Sequence, residues 1–373
     1  MSGSDKQAIT CRLKVIRQSA GISQIQLASL VGIKRQAVYD IECGKYVPNT
    51  SVALQMAKIL GCKVEDLFYH NLPERTDNIS LADKSISPNN RISVVKIRDR
   101  LVAYSLEGRN SSGHSFQAAD AILEADGKTV KFFKDFNTIE KTALLLGCDP
   151  ALGILACHVA RQCFDVSLKC RFASSGQSLK HLAAGQTHMA ATHMHDSGKE
   201  QSNITYAKKI LGGTPANVIA FANFEEGLMI SKGNPHKINR ISDLVKGSVR
   251  FVNREPGAAL RTLLDDRLES LDIPSDKIAG YNNIVFSHEE GAQMLAYGLA
   301  DAALGLRAVA SAWGLDFITI ETVRCDIIIP TDLMDHHAIR TMLDILQTRA
   351  FRDELAQLPG YENKETGKMI TAI

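Results

Sequence analysis

SQIQLASLVGIKRQAVYDIECGKYVPNTSVALQMAKILGCKVEDLF, residues 23–68, is the stretch that decides the fold of the N-terminal part. Apolar residues recur there at helical spacing, with short breaks. Ser23 is a good N-cap, Gly32 allows a left-handed turn, and Gly44 is a typical helix stop. The pattern predicts five helices, at residues 8–20, 24–30, 35–42, 51–60 and 64–68.

The second and third predicted helices are short, flank a glycine-centred turn, and differ in polarity. This is the geometry of a helix-turn-helix motif. The stretch resembles the phage-repressor-like (xenobiotic-response-element) helix-turn-helix family. The residues that match are Ser23-Gln24, Ala28, Gly32, Ile41-Glu42-Cys43-Gly44 and Pro48 to Leu54, the last with one extra residue in its spacing. The resemblance implies an all-α DNA-binding domain over residues 1–70.

The resemblance also implies that residues 35–42 form the recognition helix, which lies in the major groove. Arginine can bridge a guanine and glutamine an adenine, each through two hydrogen bonds. Val38 and Ile41 are expected in the core, and Tyr39 is open between base contact and packing. Asp40 departs from the usual basic or neutral face. The candidate DNA-binding residues are Gln24, Lys34, Arg35, Gln36, Tyr39, Asp40 and Lys45.

Charge and composition agree with a small basic head on a nearly neutral body. Residues 1–70 carry nine Lys/Arg against five Asp/Glu, or +4, which leaves −2 for the rest of a chain of net charge +2. Such a head suits a polyanionic partner. There is no long apolar run and no export-type start, so we expect a cytoplasmic protein. The eight cysteines form no CxxC pair, which argues against a zinc clip or a dithiol motif.

The middle of the chain contains less information. Residues 71–90 are rich in Asn, Ser, Asp and Pro, as linkers are. Residues 91–136 alternate apolar and polar side chains, which predicts a small β-rich bridging segment with a hairpin turn at Asp126-Gly127 and a loop at 109–113.

Residues 137–373 alternate short apolar strands with helical segments. KTALLLGC, VSLKCRF, THMAATHM, SVRFVN and DAALGL read as strands, and the segments between them contain amphipathic helices. This alternation predicts open parallel sheets in an α/β body, and its length predicts two lobes.

The order of motifs in this body resembles the periplasmic-binding-protein-like type II fold, and in particular sensor domains related to molybdate-binding proteins. The motifs are Gly147 to Ala151, Ala173 to Gly176, Thr192 to Asp196, Asn253 to Ala258 and Asp301 to Arg307. The resemblance implies a ligand cleft between two lobes. The fold class expected for the whole chain is therefore multidomain, with a helix-turn-helix head, a β-rich bridge and a two-lobed α/β body.

Several polar residues follow predicted strands directly, where ligands bind in open α/β sheets. Free N–H groups and hydroxyls at a helix start suit an anion, and Arg254 with Arg307 could add a forked clamp. Asp149 would repel a bare oxyanion. Local roles compete: helix capping for Asp149 and Ser175, and an ion pair with Glu255 or Asp265 for Arg254. The candidate ligand residues are Asp149, Ser174, Ser175, Gly176, Thr192, His193, Asn253, Arg254, Gly257 and Arg307.

Three nearby histidines, His188, His193 and His195, lack a Cys or Glu at metal spacing, so we expect no metal site and no cofactor. The effector expected is an oxyanion, an amino-acid-like or a pterin-like compound. Together these features predict a ligand-responsive transcription regulator, not an enzyme, that acts as a homodimer or higher homo-oligomer on double-stranded operator DNA. The alternatives are a cofactor-biosynthesis-type enzyme that uses His193, and a protein-interaction adaptor.

Overall fold

The computed structural model describes residues 9–70, 79–83, 86–107, 117–134, 136–195 and 202–373. The chain divides into two compact units, Met1–Arg75 and Thr76–Ile373. The predicted linker at 71–90 lies partly outside the described residues, and the predicted 109–113 loop lies wholly outside them. Within the described part of the chain, no helix is long and apolar enough to cross a bilayer.

Over residues 9–70, the first unit is a bundle of five helices. Its core is made by side chains such as Leu27, Val38, Ile41 and Met56, each at most 1% exposed. The first helix begins later than predicted, because Ile9–Cys11 (β1) instead pairs with Phe68–His70 (β2) in a two-stranded antiparallel ribbon. The helices are α1 Leu13–Ser19, α2 Gln24–Val31, α3 Arg35–Glu42, α4 Thr50–Leu60 and α5 Val64–Leu67.

The second unit begins with a five-stranded sheet, of which four strands lie in the segment predicted to be β-rich and β3 lies in the predicted linker. Its strand order is β3-β5-β4-β6-β7, and all neighbours are antiparallel except β3 and β5. The strands are β3 Ser80–Leu81, β4 Arg91–Ile97, β5 Arg100–Ser105, β6 Ala121–Leu123 and β7 Val130–Phe132.

This small sheet packs directly on the α/β body. Val95, Ile97 and Tyr104 belong to the same apolar core as the body strands. The Tyr104 hydroxyl donates to the Gln186 carbonyl at 2.7 Å. The segment is therefore continuous in packing with the body, and does not stand apart from it as a spacer.

The body contains the remaining helices and strands. Its helices are α6 Phe136–Glu140, α7 Ala151–Gln162, α8 Ser175–Ala183, α9 Ser202–Leu211, α10 Ala259–Ser270, α11 His288–Ala296, α12 Arg307–Ala312, α13 His337–Gln347 and α14 Arg349–Leu355. Its strands are β8 Thr142–Gly147, β9 Ser167–Phe172, β10 Met189–Thr192, β11 Ala216–Ile230, β12 Phe251–Arg254, β13 Ile284–Val285, β14 Ala302–Leu306, β15 Asp316–Pro330, β16 Tyr361–Glu362 and β17 Met369–Ala372.

The body sheet is mixed, which corrects the prediction of parallel sheets. Its order is β13-β12-β14-β11-β15-β10-β8-β9, and β16 and β17 pair with β11. Parallel strands occupy the two ends, while the 15-residue strands β11 and β15 run antiparallel through the middle. Two α/β halves are thus joined by two long strands. A register shift between Glu226 and Gly227 bends β11 at this junction.

Candidate functional sites

The helix-turn-helix is held by local contacts of the predicted kind. The Ser23 hydroxyl accepts from the Gln26 amide (3.2 Å), and the Gln26 side chain accepts from the Ser23 amide (2.8 Å), which closes a capping box. Gly32 has φ +76° in the turn. Val38 and Ile41 are buried as predicted, so α3 turns its other face to solvent.

The exposed face of α3 carries mainly polar side chains. Lys34, Arg35 and Gln36 are exposed, and Tyr39 is 45% exposed. Asp40 is half-buried and accepts from Lys45 Nζ (2.7 Å) and Gln36 Nε2 (3.1 Å). The Lys45 hydrogen bond lowers the pKa of the Asp40 carboxyl. Lys45 therefore offsets the one acidic charge on this face.

Gln24, predicted to hold a phosphate, has an internal partner. Its amide donates to the Glu42 carboxylate at 2.7 Å. Arg17 donates to the same carboxylate at 2.6 Å and to the Ile22 carbonyl at 2.6 Å. This network ties α1, α2 and α3 together, so the Gln24 side chain must leave Glu42 to reach DNA.

The second unit contains a cavity of about 390 Å³ between its two halves. One wall comes from the end of β8 and the start of α7, and the other from the start of α11. Four carboxylates line it, against the single basic side chain of Arg171 among the lining residues. The cavity is therefore acidic. The acidic lining residues are Asp149, Glu255, Glu289 and Glu290.

Asp149 is the predicted ligand residue that lines this cavity. Its Oδ1 accepts from the Ala151 amide (2.8 Å) and the Tyr361 hydroxyl (2.5 Å). Asp149 thus bonds the first amide of α7 locally, although Pro150 occupies the N-cap position itself. Its Oδ2 is buried and has no hydrogen-bond partner among the described residues. Burial raises the pKa of Asp149 to about 6.

His193 does not line the cavity itself but contacts a residue that does. Its Nε2 is 2.7 Å from Cys148 Sγ, and Cys148 lines the cavity. Its Nδ1 is 2.7 Å from Glu226 Oε1, but the carboxylate does not make an aligned hydrogen bond. Burial lowers the pKa of His193, yet Cys148 and Glu226 outweigh it and the pKa ends well above the usual value.

Arg254 is engaged by Glu255, as the alternative interpretation predicted. The guanidinium donates to both Glu255 oxygens at 3.0 and 3.1 Å, and its Nη1 is 3.3 Å from His288 Nδ1. Burial, reinforced by the positive charge of Arg254, holds the pKa of His288 well below its usual value. His288 is therefore neutral, and Arg254 meets the cavity through Glu255.

Arg307 does not join Arg254 in the predicted anion clamp. Its Nε donates to Glu225 (2.8 Å) and its Nη2 to the Thr319 hydroxyl (2.7 Å). Each arginine thus already has a carboxylate partner.

The other predicted ligand residues surround the junction of the halves. Ser174 precedes α8, and the Ser175 hydroxyl accepts from the His193 amide at 3.1 Å. A Cβ on Gly176 would lie 3.3 Å from the Tyr206 hydroxyl and 3.4 Å from the Gly257 carbonyl, while Gly257 has φ +92°. Thr192 Oγ1 is buried without a hydrogen-bond partner among the described residues. Asn253 holds its own strand end, bonded to the Tyr281 carbonyl and the Arg254 amide.

His188 and His195 do not share a site with His193. His188 accepts from the Leu144 amide and contacts the Lys96 carbonyl. His195 lies 2.7 Å from Glu321 and 3.5 Å from Asp266. The residues that sequence reasoning missed are Cys148, Glu226 and His288, which come from segments far apart in the chain.

The two units together define a class of protein that carries a helix-turn-helix and a two-halved binding domain in one chain. Residues 13–67 match the helix-turn-helix family model, and residues 156–347, just over half of the chain, match the model of the PBP superfamily domain. The chain belongs to the PBP superfamily and carries a helix-turn-helix domain of the regulator type.

The chain is also similar to individual proteins. YvgK of Bacillus subtilis is 31% identical over 227 residues, 61% of this chain and 73% of its own length. The helix-turn-helix-type transcriptional regulator YgzD of the same organism is 41% identical over 58 residues, 16% of this chain and 88% of its own. The sulfate-binding protein SubI from Mycobacterium tuberculosis superposes with a TM-score of 0.44 at 16% identity, over 59% of this chain and 86% of that one.

Proposed function

We propose that this chain is a cytoplasmic, ligand-responsive transcription regulator, in which α3 reads operator DNA and a small molecule in the acidic cavity modulates that binding. One observation supports it above all. The chain combines an exposed polar recognition helix with a separate cavity at the carboxyl ends of strands, where open α/β folds bind ligands. The relatives are of regulator and binding-protein types.

On the DNA side, Arg35 and Gln36 at the start of α3 are the proposed base-reading residues. Lys34 and Lys45 bind phosphates in this proposal. The centroid of the Tyr39 ring lies 5.5 Å from Lys45 Nζ, at the edge of the same face. In the absence of DNA, the Gln24 side chain donates a hydrogen bond to Glu42, and Asp40 accepts one from Lys45.

On the ligand side, the acidic lining opposes a bare oxyanion and favours a ligand with amine or amide donors. Phe172 and Phe286 add aromatic rings to the lining, which suits a planar ligand. An amino-acid-like or pterin-like effector therefore fits the cavity better than sulfate or molybdate. Asp149 is the proposed acceptor for a donor group of that ligand.

The proposed mechanism requires two chains and two states. A homodimer places two recognition helices on half-sites about one DNA turn apart. A ligand that binds both halves of the second unit favours their closed arrangement, and it shifts DNA binding only through its unequal affinity for the two states. Residues 1–70, 71–90, 91–136 and 137–373 are the proposed head, linker, bridge and sensor.

The DNA part of the proposal is tested with the full chain. Genomic fragments are selected for binding, and the affinity for the best fragment is measured by mobility shift. Arg35→Ala with Gln36→Ala is expected to weaken binding roughly tenfold or more, since each bidentate base contact contributes about 1–3 kcal/mol. Lys58→Ala, on the exposed face of α4, is the control and should have a small effect. Equal loss in both variants would contradict base reading by α3.

The ligand part is tested separately by thermal shift of the full chain against amino acids, purines, pterins and oxyanions. A stabilising compound should lose its effect in Asp149→Asn. Stabilisation by oxyanions alone would contradict the acidic-cavity interpretation.

A further inference from the structure

We propose that Cys148, His193 and His288 form a site for a borderline divalent transition-metal ion such as Zn²⁺ at the wall of the cavity. The three residues are buried, and one ligand atom from each lies within 4.8 Å of the others. One thiolate and two imidazoles are donors that Zn²⁺ prefers, and three protein ligands leave a fourth position open. The inference deepens the proposed function, because this fourth position would serve the cavity ligand.

Buried polar atoms around the three residues support an ion. The Nε2 of His288 has no hydrogen-bond partner among the described residues, although the side chain is fully buried. Glu226 is fully buried as well, and its only close polar contact among these residues is the one to His193 Nδ1, which is not an aligned hydrogen bond. Buried polar groups in folded proteins are nearly always bonded, and an ion is one of the few explanations for a cluster of exceptions. Asp149 Oδ2 and Thr192 Oγ1, also unpartnered in the described chain, belong to the same region.

Glu226 has the position of an outer partner of a metal-ligating histidine. Its Oε1 lies 2.7 Å from His193 Nδ1, while the other ring nitrogen, Nε2, faces Cys148 Sγ at 2.7 Å. Ligating histidines usually direct their second nitrogen at a carboxylate or carbonyl, which fixes the ring and raises its basicity. The register shift in β11 next to Glu226 is the backbone feature that accompanies this placement.

A divalent ion would offset the two negative charges closest to it. It contributes +2, against −1 from the Cys148 thiolate and −1 from the Glu226 carboxylate. The positive charge of Arg254 is already paired with Glu255. Asp149, next to Cys148 in sequence, is a further buried carboxyl, and with the other carboxylates of the cavity it favours entry of a cation.

Binding through His288 Nε2 has a structural consequence. The ring proton must then sit on Nδ1, which at present faces Arg254 Nη1 at 3.3 Å. Arg254 must give up this contact and keep its two bonds to Glu255. The ion would thus rearrange the contact between the end of β12 and the start of α11.

The test uses the full chain without DNA and Co²⁺ as an optical probe, displaced afterwards by Zn²⁺. We expect one ion per chain, a sulfur-to-cobalt charge-transfer band, and tetrahedral ligand-field bands. Cys148→Ser should abolish the charge-transfer band, and His288→Ala should weaken binding more than tenfold. Glu226→Gln should weaken it roughly 10- to 100-fold with the band retained.

Two control variants make the result specific. Cys170→Ser removes a thiol that lines the same cavity but bonds to the Leu152 carbonyl, and it should leave the band unchanged. His337→Ala disrupts the more exposed group of Cys163, Asp165 and His337, and should leave the stoichiometry at one. Trp313 emission without metal confirms that each variant is folded, and the nearly isosteric Glu226→Gln keeps the test decisive if larger changes unfold the chain.

A chain that binds no Co²⁺, or whose charge-transfer band survives Cys148→Ser, overturns the proposal. So does loss of the band in Cys170→Ser or His337→Ala alone. Because the readout is optical and needs no DNA, these results leave the proposed regulator function untouched. Failure of DNA binding would likewise leave the metal result unaffected.

Discussion

His188 is a buried histidine whose neutrality holds the small sheet on the body. Its Nδ1 accepts from the Leu144 amide of β8 at 3.1 Å, so Nε2 carries the proton and donates to the Lys96 carbonyl of β4 at 3.0 Å. Burial lowers the pKa of His188 from 6.5 to about 3, with a further contribution from His336. Protonation would break the bond to Leu144.

The sign of the pH effect follows from these two pKa values. Between pH 6.5 and 3 the unfolded chain binds a proton at this residue and the folded chain does not, so stability falls as the pH is lowered. The full contribution is present above pH 6.5. At about 1.36 kcal/mol per pH unit, lowering the pH from 7.5 to 5 should reduce the free energy of unfolding by about 2 kcal/mol through His188.

The assay is urea unfolding at pH 7.5 and pH 5, followed by the fluorescence of Trp313, the single tryptophan, which lies in the second unit. The comparison is with His188→Gln, which keeps a donor and an acceptor but does not titrate. Other titrating groups cancel in the difference. The stability gap between the two proteins should shift by about 2 kcal/mol in favour of the variant at pH 5. The same stability gap at both pH values would show that His188 does not titrate differently in the folded and unfolded chains.

Two further predictions concern packing in each unit. Gly227→Ala should destabilise the second unit by about 2 kcal/mol or more, because a Cβ at this position would lie 2.0 Å from the Ile318 carbonyl oxygen. The control in the same urea assay is Gly247→Ala, where an added Cβ would have no atom within 4 Å. Arg17→Met should cost the first unit about 3 kcal/mol, because it leaves Glu42 buried without its cation. Hydrogen exchange of the α3 amides measures this loss, and unchanged protection would contradict it.

The first unit could be predicted closely from the sequence because its signals are local. Ser23 caps α2, Gly32 adopts the left-handed turn, and α3 spans residues 35–42 as expected. The largest error, the start of the first helix, arose because Ile9 to Cys11 pair with a distant strand, in which the nearest partner, Phe68, lies 57 residues after Cys11. Helical spacing alone does not report such a pairing.

The body was predicted in class but not in topology. Its short strands and helices fall where the alternation indicated, yet the long strands β11 and β15 went unrecognised. They run from one half into the other and are buried over much of their length, so they lack a simple alternation. Without them the sheet looks parallel, although its centre is antiparallel.

In the candidate site, too, local contacts could be predicted from the sequence and long-range contacts could not. The bond of Asp149 to the Ala151 amide and the Arg254–Glu255 pair are local and were foreseen as alternatives. The contacts of His193 were not, because Cys148 precedes it by 45 residues and its other partner, Glu226, is a residue of a long unrecognised strand. Only the fold brings such groups together.

If the proposed function is right, occupancy of the acidic cavity changes the affinity for DNA. The direct measurement is a fluorescence-anisotropy titration of the selected operator fragment with the full chain, without and with a saturating cavity ligand from the thermal-shift screen. We expect the affinity for DNA to change at least about fivefold, which is the lower end of typical allosteric coupling, and we expect this change to disappear in Asp149→Asn. The same operator affinity with and without ligand would contradict it.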